Sequence, residues 1–418
     1  MIRKIIGTLS TRIMSSFILM IIVLVNARCL GAARVGTISL AVLSITIIQL
    51  VTNFAGGASI VYLLPRTRVI RLLVPSYLWS CITSPALALV LGSFKMIPAG
   101  MFTDVILLSL LLSFGTSNLM VLMGEERIRA YNFINLVQVA ALLISLLVFL
   151  FLFRIREVSS YIWSLYISYS LLFVISLFLI RKRFRDSASP FSTEILKEIF
   201  RYGFPLQLGN IFQFFNYRLS YYLIEFFLGR AALGVYTTGV QLSESIWMIS
   251  KSIHMVQYSR IANERDDRYA ARLTLNLLKI SLVFTVLSLV VLYAVIVIFF
   301  SFIFKPEFTQ VKIIMLILSA GILTFSVSII LSPFFAGTGR PAINTRTNAA
   351  GLAFTLLTGL WFIPRLGLPG AALSASISYT AATVYQLMVF IKVSGFKGTD
   401  FLIRSSEIKK FRGQVNPW

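Results

Sequence analysis

Long apolar stretches separated by short, polar and mostly basic ones recur along the whole chain. Each apolar stretch is long enough to cross roughly 30 Å of hydrocarbon as a helix. The first six fall at about 13–30, 36–63, 72–94, 103–123, 131–153 and 160–180. A polar stretch from Arg181 to Arg201 follows, and six more runs lie at about 203–228, 231–255, 274–303, 311–336, 348–363 and 368–391. The pattern predicts an all-α polytopic membrane protein of twelve transmembrane helices in two sets of six. The first run is as long as a full span and reads as a retained helix rather than a cleaved signal peptide. Within the polar stretch, Ile195, Leu196, Ile199 and Phe200 share one helical face opposite Glu194, Lys197, Glu198 and Arg201, which predicts a surface helix on the inner leaflet. The expected organisation is an N-terminal lobe over 1–183, a cytoplasmic linker over 184–202, a C-terminal lobe over 203–392 and a basic tail over 393–418.

The two sets repeat each other. Leu30-Gly31 followed by Gly36, between the first two spans, matches Leu228-Gly229 followed by Gly234 between the seventh and eighth. Gly124, Arg127 and Asn135 match Gly337, Arg340 and Asn348 with identical spacing, after the fourth and tenth spans. An even number of spans in each half starts both halves on the same side, so the expected relation is a pseudo-two-fold axis along the membrane normal, with a central cleft. The turns carrying Arg127 and Arg340 are then equivalent, and they are expected to approach each other when the inner mouth closes.

Composition sharpens the class. Hydrophobic residues make up 58% of the 418 and charged ones 13%, and the mean hydropathy is +0.88, which leaves no stretch polar enough for a soluble domain of ordinary size. The 38 Lys and Arg against 15 Asp and Glu give a net charge of +23. In a soluble chain that balance would suggest nucleic acid, but here the cations lie in loops, where they set topology and meet anionic membrane lipids. Alternating the loops puts 27 of them on the side of the N-terminus and nine on the other, so both termini are expected in the cytoplasm. With only Cys29, Cys81 and His254 as soft ligands, and no Gly-Lys dipeptide, the sequence holds no disulfide framework, zinc or redox motif, or P-loop, and no cofactor is expected.

Few residues at membrane depth could carry chemistry, and each is expensive to place there. On the seventh span Gln207, Asn210, Phe214, Arg218, Tyr221 and Glu225 fall on one face, with Arg218 near the middle. On the eighth, Thr237, Gln241, Glu244, Met248 and Lys251 share a face centred on Glu244. Arg218 and Glu244 either pair with each other or meet substrate. Lys279, on the ninth span, either snorkels or lines the cleft, and Arg12 sits at the inner end of the first. The aromatic run around Phe212, Phe215, Tyr217 and Tyr222 is expected to face lipid rather than stack on sugar. In the first half the polar set is neutral: Ser15 and Asn26 on the first span, and Thr46, Gln49 and Asn53 on one face of the second. No Asp or Glu precedes Asp104, which argues against a cation-driven exporter with its ion site in the first lobe.

The stretch Asn216-Tyr217-Arg218-Leu219, continued by Phe227-Leu228-Gly229 and Gly234-Val235-Tyr236, resembles the start of the second lobe in bacterial polysaccharide flippases of the O-antigen type. Gly337-Thr338-Gly339-Arg340-Pro341, Ile363-Pro364-Arg365-Leu366-Gly367, Gly370-Ala371-Ala372-Leu373 and Ser378-Tyr379 are similar to the same family's tenth-to-twelfth helix region. The resemblance implies membership of the multidrug, oligosaccharidyl-lipid and polysaccharide exporter superfamily. It also implies a two-lobed transporter moving an undecaprenyl-diphosphate-linked oligosaccharide between leaflets of the bacterial inner membrane, with polysaccharide polymerase and chain-length machinery as partners. Relatives often have an acid two residues after this arginine, where Ser220 stands here. The lipid II flippases of the superfamily usually have two further helices. On this reading the substrate-binding residues are Arg218, Gln207, Asn210, Tyr221, Gln241, Glu244, Lys279 and Arg12, with Arg218 the main cation for the diphosphate. The competing readings are a cation-coupled small-molecule exporter and a membrane-bound polysaccharide polymerase.

Overall fold

A computed structural model describes residues 2–185, 193–262, 266–396 and 400; the basic tail beyond Asp400 and part of the linker lie outside them. The described residues form helices and turns without a β-strand. The helices are α1 (Ile2–Cys29), α2 (Ala32–Gly56), α3 (Ala58–Leu63), α4 (Val69–Ser93), α5 (Phe102–Gly124), α6 (Ile128–Leu147) and α7 (Val158–Ile180). Then come α8 (Thr193–Leu228), α9 (Arg230–Glu244), α10 (Trp247–Ala262), α11 (Asp267–Ile298), α12 (Phe300–Ile303), α13 (Val311–Gly337) and α14 (Ala342–Ser394). Helices α1, α2 and α4 to α7 pack mainly on one another, as do α8 to α11, α13 and α14, and the two groups meet chiefly through α2 on α9 and α8.

Two expected spans are broken. The second is split at Gly57 into α2 and α3, and the eighth at Ser245 and Ile246 into α9 and α10. Gly367, at φ 64 and ψ −138, divides α14 where the eleventh and twelfth spans were expected to separate; a side chain with a Cβ rarely takes such a conformation. Among the described residues, nine helices are long and apolar enough to cross a membrane, counting α14 as one; α8, α9 and α10 are not among them. The reason is physical: α8 carries the polar stripe, and α9 and α10, at 15 and 16 residues, are each shorter than the roughly 20 a span needs. The protein is a multi-pass membrane protein.

The surface helix expected in the linker is instead the first part of α8. Part of its apolar stripe packs on the first group of helices: Ile199 is buried, and Phe200 meets the edge of Trp79 with ring centroids 4.9 Å apart. The Tyr202 and Tyr62 rings lie 4.1 Å apart, and Leu196 alone of the four faces outward.

The repeat extends to individual backbone bonds. After α5, the amides of Glu125, Glu126 and Arg127 donate to the carbonyls of Val121, Met123 and Leu122; after α13, Thr338, Gly339 and Arg340 donate to Phe334, Ala336 and Phe335. Glu126 and Gly339 hold the corresponding left-handed position, at φ 56 and 77. Gly31 and Gly229 open α2 and α9 at φ 90 and 82. Residues equivalent by the repeat also touch. A Cβ at Gly36 would lie 1.9 Å from the Arg230 carbonyl oxygen, and one at Gly234 would lie 1.9 Å from that of Ala32. One turn further on, the hydroxyls of Ser39 and Thr237 are 3.0 Å apart. Each glycine thus meets backbone of the helix that carries the other. Gly36→Ala and Gly234→Ala should therefore destabilise the protein alike, by about 1–3 kcal/mol each for overpacking, measurable as a fall in melting temperature in detergent. Loss at one position only would break the equivalence.

Candidate substrate cavity

Between the two groups of helices lies a cavity of about 540 Å³. From the first group, Ser16 and Asn26 of α1, Ser39 and Thr46 of α2 and Tyr161 of α7 reach it. From the second, Phe214, Tyr217, Arg218 and Tyr221 of α8, Gln241 and Glu244 of α9 and Lys251 of α10 line it. A second cavity, of about 350 Å³, shares Ser16, Glu244, Ser245 and Lys251 with the first and adds Arg12, Ser15, Tyr131, Asn132 and Asn135. The two form one cleft, whose charged lining is three cations, Arg12, Arg218 and Lys251, against the single carboxylate of Glu244.

Arg218 and Glu244 form an ion pair. The guanidinium donates Nη1 to Oε1 at 2.8 Å and Nη2 to Oε2 at 2.6 Å, the two-pronged arrangement that suits a planar fork and a carboxylate. Tyr379 of α14 adds its hydroxyl to Oε1 at 3.3 Å, and the guanidinium lies 5.1 Å from the Tyr221 ring centroid. Both partners keep a face to the cleft, with side chains 23% and 13% exposed. Lys251 and Arg12 form no ion pair among the described residues; the Lys251 ammonium stands 5.7 Å from the Trp247 ring centroid. Two buried polar atoms at the cleft wall, the acceptor Asn26 Oδ1 and the Tyr221 hydroxyl, have no protein partner among the described residues.

The polar face of α8 is one stripe in sequence but meets three environments. Phe214, Arg218 and Tyr221 face the cleft. Gln207 and Asn210 line a separate cavity of about 330 Å³. Glu225 turns to Arg230 across Gly229, with Oε1 3.0 Å from Nε. Eleven residues of helix, about 16 Å, separate Gln207 from Arg218, so the structure does not bring them to one point. Gln241 is on the cleft wall. Lys279 is 7% exposed within α11 and is not among the residues lining the cleft. The aromatic run departs from expectation at Tyr217, which faces no lipid. Its ring sits against Trp247, Phe325 and Tyr379, with centroids 5.8, 5.4 and 5.9 Å away.

Sequence reasoning passed over Lys251 and Tyr379 as site residues. Lys251 was legible, because it shares the Glu244 face; Tyr379 was not, because only the fold brings α14 beside α9. The turns after α5 and α13 hold their arginines within their own halves: Arg127 Nη1 donates to the Leu179 carbonyl at 3.1 Å, and Arg340 pairs with Asp267 at 3.2 Å.

A family profile described as polysaccharide biosynthesis protein matches residues 25–304. The chain belongs to this family. Its curated relatives include an uncharacterized membrane protein of Methanocaldococcus jannaschii, 23% identical over 272 residues, which are 62% of this chain and 53% of that protein. Another is the capsular polysaccharide biosynthesis protein CapF of Staphylococcus aureus, 25% identical over 191 residues, 45% of this chain and 48% of CapF. The chain thus spans about half the length of the curated relatives it matches. Among solved structures, the lipid II flippase MurJ in an inward closed conformation superposes with a TM-score of 0.77 at 15% identity, over 96% of this chain and 89% of that one. At that identity the likeness is one of fold, and this member of the polysaccharide biosynthesis protein family shares the helical membrane fold of MurJ.

Proposed function

We propose that the protein is a flippase that moves a prenyl-diphosphate-linked oligosaccharide from the inner to the outer leaflet of the bacterial cytoplasmic membrane by alternating access. The cleft carries the proposal. It is walled by both halves and bears three cations against one carboxylate. A cation near the bilayer centre, as Arg218 is expected to be, costs about 2.5–3.5 kcal/mol on insertion scales, a cost that a bound polyanion helps to offset. The diphosphate meets Lys251 and Arg12 first, because Arg218 is held by Glu244; Arg218 joins when the anion displaces the carboxylate. The prenyl tail stays in lipid, and the glycan hydroxyls are met by Ser, Asn, Gln and Tyr side chains. The family's link to polysaccharide biosynthesis and the fold shared with a lipid II flippase support this reading.

The same reading takes 1–183 and 203–392 as lobes of six crossings each, 184–202 as a cytoplasmic linker, and both termini as cytoplasmic, on the strength of the cation asymmetry. Polymerase and chain-length machinery are the natural partners downstream. Deleting the gene should make lipid-linked oligosaccharide accumulate on the cytoplasmic leaflet, and reporters fused after Arg185 and at the tail should both read cytoplasmic. Normal distribution of the lipid-linked glycan with altered drug susceptibility would support small-molecule export instead. Loss of chain length with normal leaflet distribution would point to a polymerase.

A further inference from the structure

The cavity that separates Gln207 and Asn210 from the cationic cleft has a chemistry of its own. Its polar lining is four carboxamides, Gln49 and Asn53 of α2 and Gln207 and Asn210 of α8, with Thr116 of α5, and it includes no charged side chain. Gln49 and Asn53 continue the line of Val42 and Thr46, which face the cleft, along the same side of α2. Gln207 and Asn210 do the same for Phe214 and Arg218 on α8. The two cavities are therefore successive stations along one crossing of two helices.

Close approach of backbone bounds the second station at one end, where a Cβ at Gly203 would lie 2.0 Å from the Phe54 carbonyl oxygen. The hydrogen-bonding capacity there is largely unused. Asn210 Nδ2 donates to Gln207 Oε1 at 3.0 Å. Gln207 is 6% exposed, yet its Nε2 donates to no group among the described residues, and the side chains of Gln49 and Asn53 form no hydrogen bond there either. Gln207 is buried, Gln49 and Asn53 are half-buried and Asn210 is exposed, so about 330 Å³ of space is lined by carboxamides whose remaining donors and acceptors are open to a polar partner. The partner is neutral, because no ionic group balances a charge, and it both donates and accepts, because carboxamides do both.

We propose that this cavity binds one sugar ring of the lipid-linked glycan through its hydroxyls, while the diphosphate occupies the cationic cleft. The inference rests on the flippase reading, and Gln49, Asn53, Gln207 and Asn210 then select the glycan rather than the lipid.

The test is binding to full-length protein in nanodiscs, with two probes. One is undecaprenyl diphosphate without sugar, and the other is the lipid-linked oligosaccharide extracted from the host strain lacking this protein. Gln49→Met/Asn53→Leu should bind the sugar-bearing probe roughly tenfold or more weakly, the worth of one or two lost hydrogen bonds, and the bare diphosphate as wild type does. Asn210→Leu, at an exposed position, should give a smaller loss of the same kind and guards against misfolding of the double variant. Equal weakening of both probes, or of neither, overturns the proposal and leaves the cavity water-filled. If wild-type protein binds neither probe, the flippase reading itself fails.

Discussion

A Ser39→Cys/Thr237→Cys protein should stop exporting when oxidised and resume when reduced. The two hydroxyls are 3.0 Å apart on α2 and α9, so sulfurs in their place need only a small approach to bond. They lie one turn from Gly36 and Gly234, where the two helices touch backbone to backbone. If alternating access separates the halves at this crossing, a covalent tie there holds one end of the cleft shut and export falls to background. Cys29 and Cys81 would be replaced by serine first, leaving the engineered pair as the reporter. The readout is surface polysaccharide in cells, or lipid-linked glycan crossing in vesicles, with and without reductant. Normal export by the fully cross-linked protein would mean that the α2–α9 crossing does not open. Transport would then have to pass by the other faces of the cleft.

Why this crossing was invisible in the sequence, while its ingredients were plain, follows from what hydropathy can report. Apolar runs give the number and order of membrane-length helices because each must satisfy its own backbone in lipid. The repeated Gly31 and Gly229 were legible because a left-handed turn demands glycine. That Gly36 meets Gly234 is a tertiary fact, and no periodicity within one helix encodes it. The polar residues of α8 share one face by helical spacing, but one face can pass several neighbours along its length. Gln207 and Arg218 therefore belong to different cavities, and Glu225 belongs to a turn. The linker stripe of Ile195, Ile199 and Phe200 shows the same limit: an amphipathic pattern fixes which side is apolar but not what it meets, and here Phe200 meets Trp79. The split of the eighth span at Ser245 leaves little mark in the sequence, since a short turn between two half-helices barely changes the average hydropathy.

Arg218→Ala should lower both the amount of protein in the membrane and its export, and the second change Glu244→Gln should restore the first without the second. The single variant leaves a carboxylate that is 13% exposed facing a vacancy where two charge-assisted bonds had been. Breaking one side of a buried pair costs about 3–5 kcal/mol, and the residual exposure of both side chains puts this pair near the lower end, about 3 kcal/mol. The glutamine removes the orphaned charge and keeps an oxygen for the Tyr379 hydroxyl, so melting temperature and protein level should return close to wild type. Export should remain reduced by roughly tenfold or more, because a diphosphate displacing Glu244 would no longer find the guanidinium, and one charge-assisted hydrogen bond is worth about 1.5–3 kcal/mol. Arg218→Lys should fall between, keeping the charge but not the fork that holds two oxygens at once. The two roles of Arg218 thus separate in one pair of measurements, thermal stability and export, on the same four proteins. Full export by Arg218→Ala/Glu244→Gln at full protein level would assign Arg218 to holding α8 against α9 alone. The substrate's anion would then be left to Lys251 and Arg12.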